Sequence, residues 1–313
     1  MHFPVKTLII HHDDCQRHDP GPGHAERSER VTAVLKAIEG VAGTEFLPAP
    51  LATREQVEGA HDPSYLAQLL DLEPAADPAI GRVALDPDTW LSPGSVNATL
   101  RGSGAACFAI DQLFAHQAKN AFCVTRPPGH HAEAAKAMGF CLLNHAAVAA
   151  RHAQAAHNAK RVAILDFDVH HGNGTQAIFA ESPEVLYVST HQSPLYPGTG
   201  FPEERGCGNI LNLPLAPGDG GAEFRNAWRA HGLPAVEQFH PELIIVSAGF
   251  DAHRRDPLGQ LELQDADYGW ITREIRALAD RACSGRLVSI LEGGYDLEAL
   301  ASASLAHVEA LVA

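Results

Sequence analysis

The stretch that decides the fold is VAILDFDVHHGNGT, residues 162–175, in which a continuous apolar run leads directly into carboxylates, imidazoles and glycines. A run that is apolar at every position is typical of a strand covered on both faces, as in a parallel sheet. Asp168 and His170 are two residues apart, and the alternation of a strand places both side chains on one side. The segment therefore predicts a buried parallel strand that delivers polar groups to one edge of a sheet.

Similar apolar runs recur along the chain and alternate with longer, alanine-rich helical patterns. This alternation predicts an α/β fold with a mostly parallel sheet flanked by helices. The predicted strands are Thr7–His11, Ala121–Thr125, Val162–Phe167, Val185–Ser189, Leu243–Ser247 and Leu287–Leu291. The predicted helices are Glu29–Glu39, Val96–Gln117, Asn144–Ala159, Ala222–Phe239 and Asp265–Cys283. Two segments rich in turn-forming residues, Asp71–Pro93 and Gln192–Gly221, are predicted to be long loops.

Length and charge limit the class of protein. A chain of 313 residues with 45% hydrophobic content can form one large core, and no segment resembles a linker, so residues 1–313 are interpreted as one domain. The formal net charge of −15 at pH 7 argues against nucleic acid as a partner, because phosphate binding requires clustered lysine and arginine.

The cysteines and the N-terminal segment favour a cytoplasmic protein. The six cysteines form no C-x-x-C pair, so reduced thiols are expected rather than disulfides. The apolar run before His11 is too short for a signal-peptide core, and no stretch approaches the length of a membrane span. No membrane partner is therefore expected.

Polar residues follow four of the predicted strands at equivalent positions. In open parallel sheets, ligands bind outside the carboxyl ends of the strands, so these side chains are expected to converge. Any one of them could be a helix cap or a turn residue, but a purely structural explanation would need four unrelated causes. The residues are His130 and His131 after the second strand, Asp166, Asp168 and His170 at the third, Asp251 after the fifth, and Tyr295 after the sixth.

Asp168, His170 and Asp251 predict a metal site. Three protein ligands with an open position are the arrangement of a catalytic metal, and carboxylate with imidazole suits zinc, Fe(II), cobalt or manganese. Ser247 lies outside a G-x-S-x-G sequence, which argues against an α/β-hydrolase.

The remaining polar residues supply what a metallohydrolase needs besides the metal. His130 and His131 are the candidates for proton transfer, and Tyr295 is the candidate for donating a hydrogen bond to a developing oxyanion. No Ser or Cys nucleophile is required by this set. The sequence therefore predicts hydrolysis by a water that the metal activates.

Five motifs resemble the histone deacetylase family: PPGHHA (127–132), GFC (139–141), ILDFDVHHGNGTQ (164–176), SAGFDAH (247–253) and LEGGYDL (291–297). The family includes histone deacetylase-like amidohydrolases, acetylpolyamine amidohydrolases and acetoin-utilisation proteins. The resemblance implies the arginase/deacetylase fold, a single α/β domain around a central eight-stranded parallel sheet. It also implies removal of acetyl or related acyl groups from N-acyl-lysine or other N-acyl amines, with one Zn²⁺ per chain and a structural K⁺.

The resemblance also implies roles for individual residues. The zinc ligands would be Asp168, His170 and Asp251, and the potassium site would include Asp166 and Ser189. The catalytic residues would be His130, His131, Tyr295, Asp166 and Asn173. The substrate would contact Gly139, Phe140 and Tyr196 along a narrow tunnel, Leu258 at its mouth and Arg30 near the acetate exit.

The two tandem histidines are expected to differ. Asp166 should hold His130, and its charge should favour the imidazolium and raise the pKa of that ring. Asn173 should face His131, and its amide carries no charge that could do the same. A general base must be neutral in the resting enzyme, so His131 is predicted to be the base.

Three alternative functions stay open. An acetylpolyamine amidohydrolase is the main alternative, although the apolar Leu258 suits an acyl-lysine stem better than a polycation. A binuclear manganese ureohydrolase shares the fold, but its D-x-H-x-D run is interrupted here by Gly172. An inactive acyl-lysine-binding protein is disfavoured because the metal and acid–base sets are complete. The oligomeric state, a homo-oligomer included, stays undetermined.

Overall fold

The run that begins at Val162 lies inside an eight-stranded sheet in which every neighbouring pair of strands is parallel. The computed structural model describes residues 6–73 and 81–313. The strands are β1 (Thr7–His11), β2 (Thr44–Pro48), β3 (Val83–Asp86), β4 (Thr89–Leu91), β5 (Asn120–Cys123), β6 (Val162–Asp166), β7 (Val185–Gln192), β8 (Ile210–Leu215), β9 (Leu243–Ala248) and β10 (Leu287–Leu291). The order in the sheet is β2-β1-β5-β10-β9-β6-β7-β8, and β3 pairs with β4 in a separate antiparallel hairpin.

Helices cover both faces of the sheet. They are α1 (Glu29–Ile38), α2 (Arg54–Glu58), α3 (Pro63–Leu72), α4 (Ser95–Phe114), α5 (His145–His157), α6 (Asn173–Phe179), α7 (Gly221–Ala227), α8 (Leu233–Phe239), α9 (Asp265–Cys283) and α10 (Leu297–Val312). The core on one face includes side chains of α1, α9 and α10, and the core on the other includes side chains of α4 and α5. None of the helices in the described ranges has both the length and the apolar character needed to cross a bilayer.

The two cores explain the continuous apolar runs. Along β6, Ala163 and Leu165 pack into the core that includes α9, whereas Val162 and Ile164 pack into the core that includes α5. Every position of a central strand is therefore buried, and none needs to be polar. The α/β architecture with a central eight-stranded parallel sheet is confirmed.

The two outer strands of the sheet, β2 and β8, were not predicted. The prediction that Gln192–Gly221 forms one long loop is wrong, because Ile210–Leu215 is β8 and pairs with β7. Neither outer strand has a second neighbour in the sheet. No residue of β2 is fully buried, and β8 mixes buried with partly exposed residues. Their sequences therefore lack the signal that marks the central strands.

Three further differences concern local structure. The predicted loop Asp71–Pro93 contains the β3–β4 hairpin, and its residues 74–80 lie outside the described part of the chain. The predicted helix Ala222–Phe239 contains a π-helical turn, Trp228–Gly232, between α7 and α8. Helix α10 was not predicted, although its apolar residues pack against the same core as α1 and α9.

The topology places the polar strand ends side by side. Strands β5, β10, β9 and β6 are consecutive neighbours in the middle of the sheet and all run in one direction. Their carboxyl ends therefore form one edge, as expected for a ligand site in a parallel sheet.

Candidate active site

The three predicted metal ligands meet at this edge. Nδ1 of His170 lies 3.1 Å from Oδ1 of Asp168 and 3.2 Å from Oδ2 of Asp251. One ligand atom from each residue lies within 4.8 Å of the others, and all three residues are buried. The backbone N–H of Gly293 donates to Oδ2 of Asp168 at 2.8 Å, and that of Val169 donates to Oδ1 of Asp251 at 2.8 Å. Both carboxylates are therefore fixed in orientation by the main chain.

The surroundings of these ligands fit a bound cation. Burial raises the pKa of Asp251, and the charge of Asp168 adds to the rise. A Cβ atom on Gly293 would lie 2.0 Å from Oδ2 of Asp251, and one on Gly249 would lie 2.1 Å from Oδ2 of Asp168. The glycines thus keep side chains away from the carboxylates. The residues present fit one divalent metal with carboxylate and imidazole ligands.

The same region has no room for the extra ligand of a binuclear site. A Cβ atom on Gly172 would lie 2.5 Å from Oδ2 of Asp166 and 2.5 Å from the Tyr187 hydroxyl. A larger side chain at position 172 would therefore collide with the carboxylate that holds His130. Among the described residues, the one other group with metal-ligand spacing is Asp111, His152 and His157, which lie on α4 and α5. This geometry argues against a two-metal ureohydrolase.

His130 is paired with a carboxylate, as predicted. Its Nδ1 lies 3.0 Å from Oδ2 of Asp166, which also accepts a hydrogen bond from the Tyr187 hydroxyl at 3.0 Å. Burial by itself lowers the pKa of His130, but the charges of Asp166 and Asp168 outweigh it and raise that pKa to about 10. The pairing with Asp166 therefore favours the imidazolium form of His130.

His131 is paired with an amide. Its Nδ1 lies 2.8 Å from Oδ1 of Asn173, and Nδ2 of Asn173 donates to Oε1 of Glu133 at 3.1 Å, which orients the amide. The amide oxygen can only accept, so the His131 proton sits on Nδ1 and Nε2 keeps a lone pair. Burial, with the charges of His130 and His170, lowers the pKa of His131 well below its usual range. His131 is therefore neutral and able to accept a proton.

Tyr295 lies beside the same carboxylates. Burial raises the pKa of its hydroxyl well above the usual range, and the charges of Asp251 and Asp168 add to the rise. The hydroxyl therefore stays protonated and able to donate. The Arg30 guanidinium lies 4.9 Å from the centre of the Tyr295 ring, and its Nε donates to the carbonyl of Gly294 at 2.6 Å. Arg30 thus packs against the ring and holds the turn that precedes it.

Aromatic side chains flank the site on two sides. The Tyr196 ring centroid lies 5.2 Å from that of His131 and 6.3 Å from that of His170, and the residue is 38% exposed. The Phe140 ring centroid lies 5.8 Å from that of Tyr295. Both rings are therefore close to the catalytic groups, as expected of the walls of a substrate channel.

The backbone conformation of Gly139 and Phe140 is unusual. Phe140 has φ of 69°, a left-handed conformation that is rare for a bulky residue, and its N–H donates to the Thr89 hydroxyl at 2.9 Å. The adjacent Gly139 also has positive φ, and a Cβ atom there would lie 2.4 Å from the His131 ring. Glycine is thus required at position 139, and the β3–β4 hairpin supports the aromatic residue that follows.

The other predicted residues have the following positions. Ser189 pairs with Asp166 across β6 and β7, and its hydroxyl hydrogen-bonds Nδ1 of His191 at 2.8 Å. Leu258 is half-buried, and its N–H donates to Oδ1 of Asp256 at 3.0 Å. The potassium site and the tunnel gate stay predictions.

Asp256 is a residue that the sequence analysis missed. Its Oδ2 accepts from the backbone N–H of Tyr295 at 2.6 Å, while its Oδ1 accepts from that of Leu258. One buried carboxylate thus joins the predicted gate to the predicted oxyanion donor. In the segment DPLGQ (256–260), only Leu258 was predicted to have a role, because the neighbouring sequence does not indicate that Asp256 contacts a second loop.

Glu292 was also missed. This fully buried residue accepts hydrogen bonds at Oε2 from the backbone N–H groups of Gly129 at 2.6 Å and His130 at 3.1 Å. Its Oε1 accepts from the Ser247 hydroxyl at 3.0 Å. Burial raises the pKa of Glu292 to about 7 despite the charge of His130. The sequence signal for Glu292 is a charged residue directly after an apolar strand. We interpreted it only as part of the LEGGYDL motif.

Replacing Glu292 with alanine should destabilise the protein and reduce its activity. Two buried N–H groups would lose their acceptor, at about 1–3 kcal/mol each, so we expect the free energy of unfolding to fall by about 2–6 kcal/mol. Glu292→Gln keeps an oxygen acceptor and should lose much less. Urea denaturation measures both variants, and equal losses for alanine and glutamine would contradict this account.

Comparisons with known proteins agree with the geometry. The family profile "Histone deacetylase domain" matches residues 22–311. The chain is 37% identical over 308 residues to histone deacetylase 14, chloroplastic, of Arabidopsis thaliana, which covers 92% of this chain and 73% of that protein. It is 38% identical over 297 residues to a histone deacetylase-like amidohydrolase of Pseudomonas aeruginosa, with 92% and 77% covered. The crystal structure of the HDA15 HD domain superposes with a TM-score of 0.91 at 33% identity, covering 98% of this chain and 88% of that one.

Proposed function

The chain belongs to the histone deacetylase family, whose members are deacetylase-type amidohydrolases, and we propose that it is a zinc-dependent hydrolase of N-acyl-lysine or related N-acyl amines. The observation that carries the proposal is the meeting of three candidate metal ligands with two histidines that have different hydrogen-bond partners. The carboxylate of Asp166 beside His130 favours the imidazolium form of that ring, and the uncharged amide of Asn173 beside His131 does not. A hydrolase of amides needs both a base and a fixed positive group, and this arrangement provides them.

We assign the following roles in hydrolysis to the residues of the site. Zinc held by Asp168, His170 and Asp251 would supply Lewis acidity for the attacking water and the substrate carbonyl. Nε2 of His131 accepts the proton of the water and returns it to the leaving amine. The Tyr295 hydroxyl donates a hydrogen bond to the developing oxyanion, and the positive charge of His130 stabilises the same negative charge.

The flanking rings favour an extended, uncharged stem. The Phe140 ring lies next to Tyr295, and the Tyr196 ring lies next to His131. Leu258, which we assign to the mouth, offers no carboxylate to a polycation. Acyl-lysine is therefore the favoured substrate class, and an acylated polyamine is the alternative.

A substrate panel tests this assignment. The zinc-loaded enzyme would be assayed with acyl-lysine peptides of several acyl lengths, acetylated polyamines and small amides, and kcat/KM compared. We expect the highest kcat/KM for an acyl-lysine peptide. The His131→Ala variant is the background control. A higher kcat/KM for acetylpolyamines would show that the protein is an acetylpolyamine amidohydrolase instead. If the enzyme hydrolysed none of these amides, the proposal would be refuted.

Tyr295→Phe should lower kcat by about 10²–10³, the usual loss for one oxyanion donor. KM should change far less, because the hydroxyl acts on charge that develops only in the transition state. The phenyl ring keeps the contact with Arg30, so folding should be preserved. Steady-state kinetics measures the effect, and a kcat close to that of the unchanged enzyme would rule out the role.

A further inference from the structure

A second group of metal-ligand side chains lies between helices α4 and α5. Nε2 of His152 lies 2.8 Å and Nε2 of His157 lies 2.7 Å from the same oxygen, Oδ1 of Asp111. One ligand atom from each residue falls within 4.8 Å of the others. We propose that Asp111, His152 and His157 form a second, peripheral binding site for a zinc-type divalent cation.

The donor set and its dimensions suit such an ion. Two imidazoles and one carboxylate are typical zinc ligands, and tetrahedral coordination at about 2.1 Å places ligand atoms about 3.4 Å apart. The observed separations from Oδ1 are 2.7 and 2.8 Å, about 0.6–0.7 Å shorter than that spacing, so the carboxylate has to move away from the two rings to admit the ion. The Asp111 side chain is 44% exposed and can rotate toward solvent.

Both imidazoles are already oriented for coordination. The His157 ring stacks on Phe114, with centroids 4.5 Å apart and planes at 14°. Nε2 of His152 points at the shared oxygen of Asp111, while its Nδ1 accepts from Nε2 of Gln56 at 3.5 Å. Coordination through Nε2 would move the ring proton to Nδ1, so this bond to Gln56 would be lost. Little side-chain entropy is therefore lost on binding, since packing holds the rings in place before the ion arrives.

The location indicates a structural ion. Asp111 lies near the end of α4 and His157 is the last residue of α5, so the ion would join the two helices near their C-terminal ends. Asn144, which caps the other end of α5, donates toward the carbonyl of Ala132 beside the catalytic histidines. Thirteen residues of α5 separate the two ends, about 20 Å. The peripheral ion would thus stabilise the α4–α5 pair without reaching the substrate.

Zinc stoichiometry of the full-length holoenzyme tests the proposal. After dialysis against buffered micromolar zinc, elemental analysis should find two ions per unchanged chain. We expect one ion per chain in His157→Gln and in Asp111→Asn, with kcat/KM unchanged in both. The melting temperature of the unchanged protein should rise on adding zinc back, and this rise should shrink in the variants.

Three outcomes would overturn it. The first is one zinc per chain in the unchanged protein. The second is two ions that persist in both variants, which would place the second ion elsewhere. The third is a loss of zinc in the variants accompanied by an equal loss of activity, which would mean that the catalytic ion was lost. Asp111→Asn is nearly isosteric, so it distinguishes lost coordination from lost packing if His157→Gln folds poorly.

Discussion

Asp168→Ala should remove one metal ion per chain and abolish hydrolysis at the same time. The reason is that Asp168 supplies one of three ligand atoms within 4.8 Å of each other. A site with three protein ligands does not retain its metal when one of them is lost. His170→Ala should have the same effect. Elemental analysis measures the metal content and initial rates measure hydrolysis, both on the same preparations of each variant.

The control for this prediction is another buried carboxylate. Asp267 is 5% exposed and pairs with Arg225 at 2.8 Å, away from the metal ligands. Asp267→Ala should cost stability through the loss of that pair but should retain the metal. If Asp168→Ala and His170→Ala both kept the full metal content of the unchanged chain, the ligand assignment would be wrong.

The second large effect concerns the division of labour between the tandem histidines. His131→Ala should lower kcat by about 10²–10⁴, the usual contribution of a general base, and His130→Ala should cost less. Burial and the charge of His130 lower the pKa of His131 and so favour its neutral form, and the ring centroids of the two histidines are 4.0 Å apart. Steady-state kinetics of the two variants, each checked for metal content, measures the difference.

Asn173→Asp probes the same division through pH. A carboxylate 2.8 Å from Nδ1 of His131 would favour the protonated ring and raise its pKa. Since the base must be neutral to act, activity would then be lost at a higher pH than in the unchanged enzyme. The acidic limb of the kcat profile should therefore move upward. An unmoved limb in a folded, metal-containing variant would show that His131 is not the sole base.

The central part of the fold was predictable because its cause is local. Strands β5, β6, β9 and β10 are buried at every position, so each is a largely apolar run, and the polar residues of the site follow at or just after its end. The direction of a parallel sheet then places those ends at one edge. For that reason Asp168, His170 and Asp251 could be assigned to one site from the sequence.

The resemblance to a known family added what periodicity could not provide. Residues such as Phe140, Tyr196 and Arg30 come from loops or from a distant helix, and no spacing rule connects them to the strand ends. The structure brings all three close to His131 or Tyr295. Their functional roles nevertheless remain proposals that the kinetic experiments must test.

The sequence by itself determined the class of fold, the central strands and the residue types at their ends, since burial on both faces leaves a pattern within a few consecutive positions. Only the tertiary structure decided which partners those residues have. Glu292 supports the backbone of His130 from a different strand end, and Asp256 connects Leu258 to Tyr295. The outer strand β8 likewise depends on pairing with β7 rather than on its own apolar content. Hydrogen bonds between segments far apart in the chain depend on how the whole chain packs, and no local pattern records them.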